Sequence, residues 1–486
     1  MSNHKALTLG ALKESGYQSC SVKTEMRNNV IAYLKNNQNC FDGIIGYDQT
    51  VIPALINAVL SQHDILLLGL RGQAKTRILR SMVQFLDEWI PVLEGSPINE
   101  DPLNPILPSS VKLIEEQGDE SPIYWKHRSE RFHEKLATPD VSMADLIGDI
   151  DPIKASRDQL DLSDTNVINY GLIPKTNRGL FLINELPDLQ GRIQVGLLNI
   201  LEESDVQIRN FPVKLDLDLA MLFTANPEDY TNRGNIITPL KDRIASQILT
   251  HYPKSRELAA SITAQEANCE RSEKIEIPNL YTNLIEEIAI QARYSEHIDQ
   301  TSGVSARLTL SAMELLHSNI ERRSILKNCK AVVRMPDLLA VIPAICGKVE
   351  LVYEGEQEGP HIIAEKIIGK AVKKLFEENF PSVLKSKEGQ ESDPYYSRIQ
   401  KWFSKGHLVA LTDYEDNQSE FEKLIKVDGL KDLLDENIKG LSEEDALPWL
   451  SFIVEALHQN ALLSREGKEG AWCYSDMLMN MMDDIK

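Results

Sequence analysis

Cysteine is scarce and scattered. The six residues, Cys20, Cys40, Cys269, Cys329, Cys346 and Cys473, include no close pair, which excludes a zinc-ligand spacing and a disulfide framework and fits a reducing compartment. No apolar run is long enough to span a bilayer, and the N-terminus lacks the apolar core of a signal peptide. A cytoplasmic location with no membrane partner is therefore expected. Basic residues are also short: 52 Lys and Arg stand against 73 Asp and Glu, a net charge of −21. No basic patch offsets this, so non-specific duplex binding is disfavoured and nucleic acid is an unexpected partner. Basic protein surfaces or cationic ligands suit the charge better.

What is present centres on His63–Arg80. The apolar run Ile65-Leu66-Leu67-Leu68 is short enough for a buried strand. The chain then turns through Gly69-Leu70-Arg71-Gly72-Gln73-Ala74 to Lys75-Thr76, and a helical pattern continues from Arg77. Strand, glycine turn, Lys-Thr and helix are the parts of a phosphate-binding loop. Glycines let N–H groups turn inward around phosphate oxygens, and the new helix points its positive end at the same anion. Lys75 would reach the β and γ phosphates, and the Thr76 hydroxyl would bind Mg²⁺. Ala74 stands where such loops commonly have glycine. Read as helical, it costs little there. The competing reading is a plain strand-to-helix turn with an incidental lysine.

A length of 486 residues suggests roughly two to four domains. Residues 1–43 read as a helical arm with one amphipathic segment, Val22 to Leu34, ending in a turn at Phe41-Asp42-Gly43. Val51 to Leu60 has helical spacing, with Pro53 in its first turn. The helix after the loop is expected to run to about Trp89. Pro91 to Pro122 reads as an insertion, either an interaction element or a mobile loop. Tyr124 to Leu136 is expected to hold a strand, and Ser142 to Leu146 a short helix. Asp149 and Asp151 are more often a solvated turn than a metal site.

Leu180 to Glu185 is an apolar strand ending in a polar pair. In nucleotide hydrolases such a strand lies beside the phosphate-loop strand; its first terminal residue helps hold Mg²⁺ and its second polarises the attacking water. Here the pair is Asn184 and Glu185. An asparagine still accepts a hydrogen bond from a metal-bound water but brings no charge, so weaker Mg²⁺ binding is expected. A helix, Gln190 to Glu203, and a β-hairpin, Val206 to Leu215, follow. Leu219 to Thr224 is another buried strand. It leads to Asn226, placed to orient water or else to act as a turn residue before Pro227. Thr238-Pro239-Leu240-Lys241-Asp242-Arg243 begins a further helix.

Taken in order, these features resemble the AAA+ ATPases, and among them the magnesium-chelatase ATPase subunit and MoxR-type branch. The residues carrying the resemblance are Gly69 to Thr76, Asn177-Arg178-Gly179, Leu197 to Glu203 with the hairpin, Thr224-Ala225-Asn226-Pro227, and Leu240-Lys241-Asp242-Arg243. It spans roughly Gly46 to Glu354 and implies an α/β P-loop core with a parallel sheet, a helical lid and a largely helical C-terminal region. The implied domains are an arm at 1–43, a nucleotide-binding domain at 44–252, a lid at 253–354 and an acidic helical region at 355–486. The implied ligands are ATP and Mg²⁺. Gly69, Gly72, Gln73, Ala74, Lys75, Thr76 and Arg77 would form the nucleotide-binding loop, and Thr76 and Asn184 the metal side. Glu185, Asn226, Arg243 and Arg307 would be the catalytic set: Asn226 as sensor 1, Arg243 as a finger reaching a neighbouring subunit's γ-phosphate, and Arg307 as sensor 2, or else an exposed charge at a helix start.

The function implied by the resemblance is ATP hydrolysis in a homo-oligomeric ring, a hexamer, that remodels or activates a partner protein. Relatives commonly work with a partner carrying a von Willebrand A-type domain. A nucleotide-gated scaffold, an enhancer-binding transcription activator and a DNA motor are the alternatives. The activator would carry a Gly-Ala-Phe-Thr-Gly-Ala loop and a basic C-terminal helix-turn-helix. The loop is absent, and from Tyr395 onward acidic residues outnumber basic ones by about two to one.

Overall fold

The computed structural model describes residues 6–158, 167–203, 205–207, 214–226, 235–270, 275–383, 394–468 and 471–477. It forms two compact units, 1–251 and 252–486.

In chain order the strands of the first unit are β1 (Ile65–Leu68), β2 (Trp89–Leu93), β3 (Ile123–His127), β4 (Phe132–Leu136), β5 (Gly148–Ile150), β6 (Ile168–Tyr170), β7 (Gly179–Asn184), β8 (Asp205–Gln207), β9 (Lys214–Asp216), β10 (Leu219–Ala225) and β11 (Ser246–Leu249). Five of them make one parallel sheet in the order β11-β1-β10-β7-β4. Its central strands are buried along their whole length, as expected of a parallel sheet covered on both faces. Alternate residues of one strand enter different cores. Leu66, Leu68, Phe181, Ile183, Met221 and Phe223 pack on one side. Ile65, Leu67, Leu180, Leu182, Ala220 and Leu222 pack on the other, against the helices Val22–Lys35 and Val51–Leu60.

The sheet order corrects one expectation. The strand ending in Asn184 does not lie beside the phosphate-loop strand; β10 stands between them and pairs with both. The helix after the loop also stops earlier than expected. It covers Lys75–Ser81, continues as a 3₁₀ turn over Met82–Phe85, and gives way to β2. β2 pairs antiparallel with β3, so the region read as an insertion or loop is an ordered excursion bounded by two strands and carrying the helix Pro108–Gln117. Inside it the buried Glu100 carboxylate accepts from Ile106 N and Leu107 N, both at 2.6 Å, and closes the loop on itself. Asp149 lies in β5, and Asp151 accepts from Ile153 N and Lys154 N as a turn residue.

The N-terminal residues are woven into this unit. Glu25 and Arg131, both buried, form a bidentate pair at 2.7 Å. The Arg131 Nε donates to the Arg178 carbonyl at 2.8 Å. Val22 N donates to Asp218 at 2.7 Å, and burial pushes that carboxyl up to about 6. Asn177-Arg178-Gly179 is the joint of these parts. Asn177 Oδ1 accepts from Asp218 N, Arg178 reaches the Pro91 carbonyl and the Tyr17 hydroxyl, and a Cβ at Gly179 would collide with the Arg131 carbonyl.

The second unit has one continuous core, from Leu280 to Tyr474. Its long helices are Asn279–Arg293, Arg307–Lys327, Pro360–Asn379 and Glu443–Gln459. A short helix, Tyr353–Glu358, precedes the third of these. The C-terminal part also holds an antiparallel sheet of β12 (Val409–Thr412), β13 (Ser464–Lys468) and β14 (Ala471–Ser475), with β14 central.

Candidate functional site

The site forms where β1, β10 and β7 all end. After Leu68 the chain leaves the sheet through Gly69. A Cβ there would collide with Thr250 Oγ1 and Gln73 Oε1, so only glycine fits. Thr250 donates to Gln73 Oε1 at 2.6 Å, which anchors the loop to the end of β11. The Tyr47 hydroxyl braces it from the other side, 2.8 Å from the His251 carbonyl and 3.0 Å from the Gln73 carbonyl. Tyr47, Thr250 and His251 were not legible as loop supports. The local signal is slight, a threonine directly after the short strand Ser246–Leu249.

Gly72 and Ala74 both take left-handed backbone conformations, φ 77° and 56°. This overturns the reading of Ala74 as helical: it is the turn residue before the helix, where glycine is free of strain and a Cβ is not. No described carbonyl accepts from the N–H groups of Gly72, Gln73 or Ala74. Successive unpaired amides in such a turn form a concavity suited to an anion. Ala74→Gly is expected to raise stability by about 1 kcal/mol, the left-handed strain less the extra freedom of an unfolded glycine. Denaturant unfolding without nucleotide checks this.

Lys75 begins the helix, largely buried, and its ammonium donates to the carbonyls of Gly69 and, at 3.0 Å, Leu70. The Thr76 hydroxyl donates to Asn184 Oδ1 at 2.9 Å and so ties the loop to the end of β7. Thr224, one residue before the end of β10, donates to the same Asn184 oxygen at 3.2 Å and accepts from Glu185 N at 3.1 Å. Glu185 itself turns out of the strand in a left-handed conformation, φ 56° and ψ 52°. In a non-glycine residue this costs roughly 1–3 kcal/mol, a strain that tends to cluster at functional sites. Asn226, buried, directly follows β10. The fold thus brings together the loop residues Gly69 to Thr76, the strand ends Asn184 and Glu185, and, next to Thr224, Asn226. Arg77 is exposed on the helix behind the loop.

The donor set fits a nucleoside triphosphate: inward amides, a buried lysine and a helix start for the phosphates, a carboxylate for water. Thr76 would hold a metal ion, which would supply charge neutralisation between phosphates when bound. Asn184 adds no charge to that side.

Two other expected residues belong to separate helices. Arg243 ends the helix Thr238–Arg243 and pairs with Glu202 of its own chain, at 2.8 Å from Nε and 2.7 Å from Nη2. Arg307 is exposed at the first position of its helix in the second unit, its N–H donating to Ser305 Oγ at 3.1 Å. The expected hairpin is described at its two strands, β8 and β9, and its tip lies outside the described residues.

No known protein-family profile matches the chain. Among solved structures it is similar to a candidate ATPase of Cytophaga hutchinsonii, at 18% identity over 74% of this chain and 97% of that one, TM-score 0.29. It is similar also to the BchI–BchD complex of magnesium chelatase, at 16% identity over 65% and 98%, TM-score 0.34. A third is NtrX of Brucella abortus, at 12% identity, TM-score 0.35, where the match covers 63% of this chain and only 56% of NtrX. The structures to which the chain is similar are AAA+ ATPases, and its own architecture is an α/β core built on a parallel five-stranded sheet, followed by a helical region.

Proposed function

We propose that the chain binds ATP in the loop Gly69–Thr76 and hydrolyses it within a homo-oligomeric ring, with Glu185 polarising the attacking water and Asn226 orienting it. The observation that carries this reading is the convergence of Lys75, Thr76, Asn184 and Glu185 on one end of the sheet, with Thr76 and Thr224 both bonded to Asn184. Arg243 completes the site of a neighbouring subunit, Arg307 contacts phosphate from the lid at 253–354, and the work is remodelling of a partner protein. A von Willebrand A-type partner, a hexameric ring and a cytoplasmic setting belong to the same reading, which is supported by the order of the motifs along the chain.

ATP turnover measured against protein concentration tests it. Specific activity is expected to rise with concentration as subunits share sites. Arg243→Ala is expected to lower turnover by about 1000-fold or more, the scale of a lost arginine finger, while ATP affinity stays unchanged. Glu185→Gln is expected to hold ATP without turning it over. Wild-type turnover and affinity in both variants would sink the assignment. The uncharged Asn184 favours a second reading, a nucleotide-gated scaffold; it predicts ATP binding without turnover, with turnover appearing in Asn184→Asp.

A further inference from the structure

The Asn184 side chain is oriented by its neighbours. Thr224 Oγ1 already accepts from Glu185 N, at 3.1 Å, so its own proton is available to donate, and Asn184 Oδ1 receives it at 3.2 Å. Thr76 donates to the same oxygen at 2.9 Å. A reversed amide would leave the Thr224 proton without that acceptor. Both lone pairs of the Asn184 carbonyl are therefore used within the protein. The expectation that this oxygen accepts from a metal-bound water meets a different geometry. The group Asn184 has left to offer is its Nδ2 amide, for which no described residue is a partner. Asn184 is 9% exposed, at the strand end that Thr76 joins to the loop.

An aspartate at this position would present a second anionic oxygen, which repels phosphate unless a cation lies between them. An amide N–H₂ does the reverse: it donates to an anion directly and has nothing to offer a cation. We propose that Asn184 is a phosphate donor, and that it makes nucleotide binding by this chain largely independent of divalent metal. The Thr76 hydroxyl keeps a lone pair for a metal while its proton stays on Asn184, so metal is still accommodated. It is no longer needed to hold the triphosphate. This rests on the nucleotide reading of the loop and specifies how that loop takes its ligand.

The test is ATP binding by calorimetry on the full chain, in excess Mg²⁺ and in excess EDTA, for wild type and Asn184→Asp. The wild-type affinities are expected to differ by less than about fivefold. In EDTA the Asn184→Asp variant is expected to bind at least about tenfold more weakly than wild type, since a donor has become a like charge, and to recover with Mg²⁺. A wild-type loss above about fivefold on removing Mg²⁺ overturns the proposal, as does metal-free binding by the variant equal to wild type. The wild-type comparison decides even where the variant does not fold. Normal binding with strong Mg²⁺ dependence overturns this inference alone; no ATP binding in either buffer overturns the nucleotide reading with it.

Discussion

Lys75→Ala is expected to weaken ATP binding by about 100-fold or more, to below detection in an ordinary titration, while the fold survives. The lysine is the one ammonium at the head of the helix that follows the loop. It is buried, and held against the carbonyls of Gly69 and Leu70. Charge-assisted hydrogen bonds to phosphate are worth roughly 1.5–3 kcal/mol each, and Lys75 would make more than one. Its loss removes no apolar packing between the sheet and the helices, because Ile78 and Leu79 carry that contact. Unfolding without nucleotide should therefore move little. Calorimetric titration with ATP, beside a denaturant melt of the same variant, separates the two effects. Unchanged affinity would end the assignment of the loop.

Much of this site was legible because its signals are local. Ile65 to Leu68 is a four-residue apolar run closed by glycine, and it is β1 as read. Val51 to Leu60 has helical spacing with its proline in the first turn, and the helix has those bounds. The conformation of Ala74 was misread because alanine is a good helix former; the one signal of a left-handed turn was its position, where such loops commonly have glycine. The end of the helix at Ser81 was missed for a different reason. No stop signal follows it. The chain leaves the helix because Trp89 to Leu93 pairs with Ile123 to His127, some thirty residues away. Strand neighbours depend on distant partners in the same way, so the place of β10 between β1 and β7 was hidden. The sheet of β12, β13 and β14 was hidden because Ser464 to Lys468 is polar and lacks alternation.

Arg334→Met is expected to destabilise the second unit by about 3–5 kcal/mol at neutral pH, the cost of leaving a buried charge without its partner. Arg334 and Glu420 are both fully buried and lie 2.8 Å apart. Arg323 and Asp337 form a second buried pair beside them, and Arg334 N donates to Asp337 at 2.7 Å. Arg334 also reaches the Glu415 carbonyl at 3.2 Å, joining the 3₁₀ segment Met335–Val341 to the loop before the helix Asn417–Ile425. Burial pushes the Glu420 carboxyl up to about 7 even with Arg334 opposing it. The native chain thus holds this proton between the unfolded value near 4.5 and about 7. The Glu420 contribution to stability is most favourable below that window and declines as pH rises through it. Without Arg334 the carboxyl binds its proton more firmly, so the variant should lose less at pH 5 than at pH 8. Urea midpoints at both values check the sign. Arg334→Met with Glu420→Leu should recover most of the loss, since an apolar pair of similar volume often replaces a buried ion pair at little cost. An equal loss in the single and double variants would mean that packing, not charge, holds this part together.

The pairing of Glu25 with Arg131 has a consequence for how such chains can be recombined. The two residues stand 106 positions apart in sequence, and Arg131 in turn holds the carbonyl of Arg178, directly before the strand that ends at Asn184. A crossover near Gly43, where the sequence suggests a clean seam, would separate a buried cation from its carboxylate. The opening segment is therefore exchangeable between homologues only as a matched set with Arg131, since a hybrid lacking an acid at position 25 would leave the buried guanidinium without its partner, at a cost of about 3–5 kcal/mol.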